Sequence, residues 1–191
     1  WVARGGQAGR AEGAEATPMR EKKLSAGLPG GESATGRAGI SRGCAESEEL
    51  DADDMPENLK DFIREIAPVA DELNVKLGVH PDDPPFALFG LPRVVSTEAD
   101  VADLFARVPS RANGLCFCAG SFGARPDNDL PGMVDRLGER IGFLHLRSVQ
   151  REGGDARGGT FHEAAHLEGD AGMTAIVAAV HRLQQREDRS I

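Results

Sequence analysis

Cysteine is scarce in this chain: Cys44, Cys116 and Cys118 are its only three in 191 residues. They are too few and too unevenly spaced for a disulfide framework, so a reducing compartment is expected. Positive charge is also in short supply, with 22 Lys and Arg against 31 Asp and Glu and a formal charge of −9. That balance argues against broad nucleic-acid binding and against docking on an anionic membrane. A small anionic substrate stays open, because one well-placed Arg outweighs a net charge. No apolar run approaches the roughly 20 residues of a membrane helix, and no signal-peptide pattern opens the sequence. A soluble cytoplasmic protein is the expectation. A Gly-rich phosphate loop is missing in any useful form, since GGES and GGDARGG lack the strand-to-helix setting. The first residue is Trp1 instead of Met, which suggests an incomplete gene product or an excised segment.

What is present falls into two parts. Residues 1–54 are rich in Gly, Ala, Ser, Arg and Glu, with no sustained apolar period. Such a composition buries too little to offset chain entropy, so most of this part is expected to be disordered. LSAGLPG, Leu24 to Gly30, is the exception. From residue 55 to 191 the pattern is that of an ordered domain. Leu59, Phe62, Ile63, Ile66, Val69, Ala70 and Leu73 share one helical face, with Asp53 or Asp54 available as cap and Pro68 able to kink the helix. Val75, Leu77 and Val79 then read as a buried strand stopped by Pro81, Pro84 and Pro85. Ser96 and Thr97 start a helix with Val101, Leu104, Phe105 and Val108 inward. A strand over Gly114 to Phe117 ends at Cys118, the loop AGSFGARPDN follows, and Asp129 caps a helix with Met133, Val134 and Leu137 inward. Ile141 to Leu144 ends at His145. A long polar loop is expected from Arg147 to Gly169, then a helix from about Gly172 with Met173, Ile176, Val177, Val180 and Leu183 on one side. Strand and helix alternate, so the predicted class is α/β: parallel strands with helices packed outside them.

In that arrangement His80, Cys118 and His145 each sit at the end of a successive strand, 38 and 27 residues apart. Neighbouring strand ends lie about 4.8 Å from one another. Three side chains of metal-binding type therefore converge at one rim, the place where ligands bind in α/β folds. A lone histidine there is more often bonded to its own loop; the recurrence favours a metal site. The same loops offer a shell toward substrate: Asp82 and Asp83, Ser121 and Arg125, and Arg147, which shares a strand side with His145. Arg147 suits a bidentate carboxylate clamp or, equally, a rim ion pair. Asn113 reads as a turn residue and Cys116 as core.

FHEAAH, Phe161 to His166, contains the H-E-x-x-H spacing of zinc proteases. It runs into LEGDAG within three residues, which leaves room for only a turn or two of helix and supplies no third ligand. A loop folding over the strand-end site, bringing His162 or His166 to substrate, fits better, and a simple polar turn fits either histidine singly.

The segments GVHPDDPPFALFGLPRVVST, NGLCFCAGSFGARPDNDLPGM, GFLHLRSVQREG and FHEAAHLEGDAGM resemble strand-end segments of mannonate dehydratases, enzymes with a xylose-isomerase-like (β/α)8 TIM barrel. The likeness runs from about Asn58 to Leu183, and LSAGLPG is similar to a short piece that precedes it in the family. The resemblance implies a partial TIM barrel and, at His80, Cys118 and His145, ligands to Mn2+ or Fe2+. It implies loss of water from D-mannonate to give 2-keto-3-deoxy-D-gluconate in glucuronate breakdown; Arg147, Asp82 and Ser121 of the shell read above would then face the sugar acid, and a homo-oligomer is compatible with the fold. The family's R-P-D-H-G motif, carrying a fourth ligand and a catalytic histidine, has no counterpart before Ile191, and about half a barrel is expected. A non-catalytic metal-binding homologue is therefore the alternative.

Overall fold

The computed structural model describes residues 54–87, 92–155, 158–188 and 191. The disorder expected for residues 1–54, the LSAGLPG likeness and Asp53 as a cap lie outside these residues, apart from Asp54 itself.

Helix α1, Asp54–Glu72, carries Asp54 and Glu57 in its first turn, where carboxylates meet the positive end of the helix dipole. Pro68 is accommodated inside it. The buried face is Lys60, Ile63, Ala67 and Ala70, with Leu59 and Ile66 partly covered. The expected stripe is therefore only half used: Phe62 is 58% and Leu73 69% exposed. The helix stops at Asn74, which takes the left-handed φ of 53° that Asn tolerates. The Val75 N–H then closes back on the Ala70 carbonyl at 2.8 Å. Val75 thus belongs to the helix exit, and strand β1 is short, Leu77–Val79.

Helix α2, Glu98–Arg107, begins with a capping box: the Thr97 hydroxyl accepts from Asp100 N–H, and the Asp100 carboxylate accepts from Thr97 N–H at 2.8 Å. Strand β2, Asn113–Cys118, follows. Asn113 is no turn residue; it lies fully buried in the strand and donates to the Val108 carbonyl at 2.9 Å, satisfying the end of α2. Beyond β2 the expected loop contains a short helix, α3, Ala119–Gly123. Asp129 caps α4, Leu130–Leu137, and Ile141–His145 forms β3.

The three strands make one parallel sheet in the order β1-β2-β3, with Leu77 beside Asn113 and Cys118 beside His145. Its covered face joins Leu115, Phe117 and Ile141 to Val101, Met133, Val134 and Leu137, and to Met173, Ile176 and Leu183 of α5, Met173–Glu187. Val177, expected on that inner side, is exposed.

The segment after Arg147 departs most from expectation. Instead of a loop it forms an antiparallel hairpin, β4, Ser148–Asp155, and β5, Gly158–Ala164. Val149 and Phe161 bury against Phe86 and Ala124, so two apolar residues suffice to seat it. Gly153 and Gly154 take φ of 131° and 97°, open only to glycine. Among the described residues, no helix is long and apolar enough to cross a membrane.

Candidate metal centre

Parallel register carries the three strand ends to one edge. His80 follows β1, while Cys118 and His145 end β2 and β3 as register partners. One ligand atom from each of the three lies within 4.8 Å of the other two. Both histidines are exposed, and Cys118 is fully buried beneath them.

Two of the donors are held by their own loops. His80 Nδ1 lies 2.7 Å from the Pro81 carbonyl, which accepts its N–H and turns Nε2 outward. That Nε2 faces His145 Nδ1 at 3.4 Å. Cys118 is also the N-cap of α3, and its sulfur accepts from the Ser121 hydroxyl at 3.3 Å and the Ser121 N–H at 3.4 Å. Ser121, expected to face substrate, is therefore fully buried under the cysteine it supports. Cys116 lies two residues back on the same strand, half-buried, and burial together with the neighbouring Cys118 pushes its thiol up.

The remaining shell is built into the rim itself. One Asp82 oxygen accepts from the backbone N–H of Val94 and of Val95, each at 2.7 Å, which ties the β1 loop to the entry of α2. The sequence places Asp82 toward substrate; the loop takes up that oxygen. Arg125 grips Asp127 with two nitrogens, at 3.0 and 2.7 Å, and reaches the Pro85 carbonyl; its hydrogen bond holds the Asp127 carboxyl below the usual range. Arg147 pairs with Asp83 at 2.6 Å, and Glu163 of β5 stands 3.9 Å away. Burial opposes the Arg147 charge, but Asp83, Cys118 and Glu163 outweigh it and raise its pKa. Of its two readings, the rim ion pair is the one the geometry contains.

FHEAAH is corrected most. Phe161 to Ala164 is extended, not helical, so His162 and Glu163 point to opposite faces of the hairpin. Glu163 is the residue near Arg147; His162 Nδ1 instead lies 2.8 Å from Glu152, off the line of a hydrogen bond. His166 is exposed in the turn beyond β5. Neither histidine belongs to the metal-capable cluster. Glu163 reaches the Arg147 side because a strand turns alternate residues to opposite faces, a pattern that the H-E-x-x-H spacing hides in the sequence.

The family model described as D-mannonate dehydratase (UxuA) matches residues 11–189. The chain belongs to the mannonate dehydratase family. Over 140 residues it is 56% identical to the mannonate dehydratase of Brucella canis, covering 73% of this chain and 33% of that protein. It is 49% identical over 162 residues to that of Saccharophagus degradans, covering 85% and 40%. Against mannonate dehydratase 2 of Agrobacterium fabrum it is 45% identical over 172 residues, covering 90% and 41%. The crystal structure of mannonate dehydratase from Streptococcus suis serotype 2 superposes with a TM-score of 0.63 at 37% identity, over 70% of this chain and 38% of that one. The chain thus spans between 33% and 41% of the length of these relatives.

Proposed function

We propose that this chain carries the metal-holding part of a mannonate dehydratase, a hydro-lyase that removes water from D-mannonate to give 2-keto-3-deoxy-D-gluconate, built on part of a (β/α)8 barrel. His80, Cys118 and His145 are the ligands, and Mn2+ or Fe2+ is the ion. The observation that carries this reading is the 3.4 Å approach of His80 Nε2 to His145 Nδ1 above a buried sulfur. With the His80 Nδ1–H donating to the Pro81 carbonyl, His80 Nε2 is turned toward His145 and the Cys118 sulfur, and such a set of imidazole and thiol donors suits a cation. When bound, a divalent ion supplies Lewis-acid stabilisation of the negative charge that develops when the proton beside a carboxylate is removed.

The residues of this chain have separate tasks in the proposal. His80 and His145 stand exposed, where a sugar acid reaches the site, and Cys118 anchors it from beneath. Ser121 steadies the sulfur, Asp82 braces the β1 loop, and Arg147 holds the rim through Asp83. Glu163 of the hairpin stands 3.9 Å from Arg147 at that rim. A second reading is a metal-binding homologue without turnover, in which the same three residues hold the ion.

The test is Mn2+ and Fe2+ binding to the chain beside Cys118→Ala, with D-mannonate assayed for loss of water. Loss of a ligand is expected to weaken binding by more than the roughly 10–100-fold typical of an outer-shell change. Metal binding indifferent to Cys118 would overturn the assignment, and binding without turnover would select the second reading.

A further inference from the structure

Arg147 touches all three of the loops that follow the metal-ligand strands. It lies two residues beyond His145. Its Nη1 meets Asp83, three residues beyond His80, at 2.6 Å. Its stem and guanidinium cross Gly120, two residues beyond Cys118, so closely that a Cβ there would stand 2.1 Å from Nε, 2.9 Å from Cζ and 3.0 Å from the Arg147 Cβ. All three of the atoms nearest that absent Cβ belong to Arg147. Nε and Nη2 are closed to solvent and have no hydrogen-bond partner, so shape, not hydrogen bonding, holds that edge of the side chain in place.

We infer that Gly120 is a positioning residue of the metal centre: its bare Cα is the seat on which Arg147 lies to clasp the three ligand-bearing loops. The inference rests on the metal reading of His80, Cys118 and His145 and adds to it the means by which separate loops hold one geometry. A methyl group at position 120 fits only if the Arg147 guanidinium shifts off its seat, because a contact near 2 Å is far inside van der Waals separation. Gly120 lies within α3, where alanine is otherwise the better residue.

Four proteins test this: the wild-type chain, Gly120→Ala, Arg147→Ala and the double variant, each measured for thermal midpoint and for Mn2+ affinity by calorimetry. Gly120→Ala is expected to lower the midpoint and weaken Mn2+ binding at least about tenfold. Arg147→Ala is expected to weaken it similarly, and this sign is diagnostic. Removing a positive charge beside a cation site strengthens binding by Coulomb's law alone, so a loss reports the lost clasp. In the Arg147→Ala background, Gly120→Ala should raise the midpoint and leave affinity unchanged, since the seat no longer has an occupant.

Equal effects of Gly120→Ala in both backgrounds, or Mn2+ affinity unchanged in either single variant, would overturn the inference. If Gly120→Ala fails to fold, recovery of folding in the double variant supports the seat, and a double variant that also fails to fold overturns it. A wild-type chain that binds no Mn2+ overturns the metal reading, and the reversal in thermal midpoint then still decides whether Gly120 seats Arg147.

Discussion

At the scale of single residues, the site depends on how each donor is oriented by its neighbours. Ser121 contributes two hydrogen bonds to one sulfur, from its hydroxyl and from its N–H. Ser121→Ala removes the first and keeps the second. Mn2+ affinity should fall by roughly 10–100-fold, the usual cost of an outer-shell partner, while far-UV circular dichroism stays unchanged. Asp127 gives a pH prediction away from the site. Arg125 lowers its carboxyl pKa in the folded chain, so the unfolded chain binds the proton more readily. The associated stability is complete above the unfolded carboxylate value of about 4 and disappears as pH falls through the lower folded value. Asp127→Asn should therefore lower the urea midpoint near neutral pH, and the gap from wild type should close as pH falls through the lowered folded value. A gap independent of pH would mean that the carboxylate charge is not what Arg125 uses.

At the scale of elements, the hairpin packs in a cluster separate from the main core. It is seated by Val149 and Phe161 against Phe86 and Ala124, with Phe86 and Phe161 meeting edge to face at 6.1 Å. Arg151 adds a bond to the Gly123 carbonyl at 2.7 Å. Phe161→Ala should cost about 3 kcal/mol or more, as for a buried aromatic, and the loss should be local. Hydrogen exchange is expected to speed up in β4 and β5 while β2 keeps its protection. Uniform acceleration would show that the hairpin and the sheet unfold as one unit. This element also explains a failure of sequence reading. Ser148 to Ala164 has too few apolar residues to display strand alternation, and its pairing depends on contacts between residues such as Gln150 and His162 that only the folded chain brings opposite each other.

At the scale of the whole molecule, the three-stranded sheet is covered on one face only. Parallel sheets are ordinarily packed on both. Here Phe143 of β3 is 62% exposed, Gly78 is exposed, and the outer edges of β1 and β3 have no strand partner among the described residues. Open edges and apolar faces promote association. The chain should therefore self-associate with rising concentration in analytical ultracentrifugation, and Phe143→Lys should shift the distribution toward monomer. A monomer at every concentration would show that this face is tolerated in water.

The alternation of short apolar strands with amphipathic helices, read from residues such as Leu115, Phe117, Met133 and Leu183, was enough to determine the parallel α/β order, because burial periodicity is a local property of the chain. The ends of those strands also marked His80, Cys118 and His145, since strand length and proline positions are visible without a fold. Which neighbours those residues have was decided only in three dimensions. Ser121 turned to Cys118, Asp82 to the backbone of Val94 and Val95, and Arg147 to Asp83 across the seat at Gly120. Each of those choices depends on which loop lies within hydrogen-bonding distance. That distance is set by the register of the sheet and the packing of its helices, not by the spacing of residues along the chain.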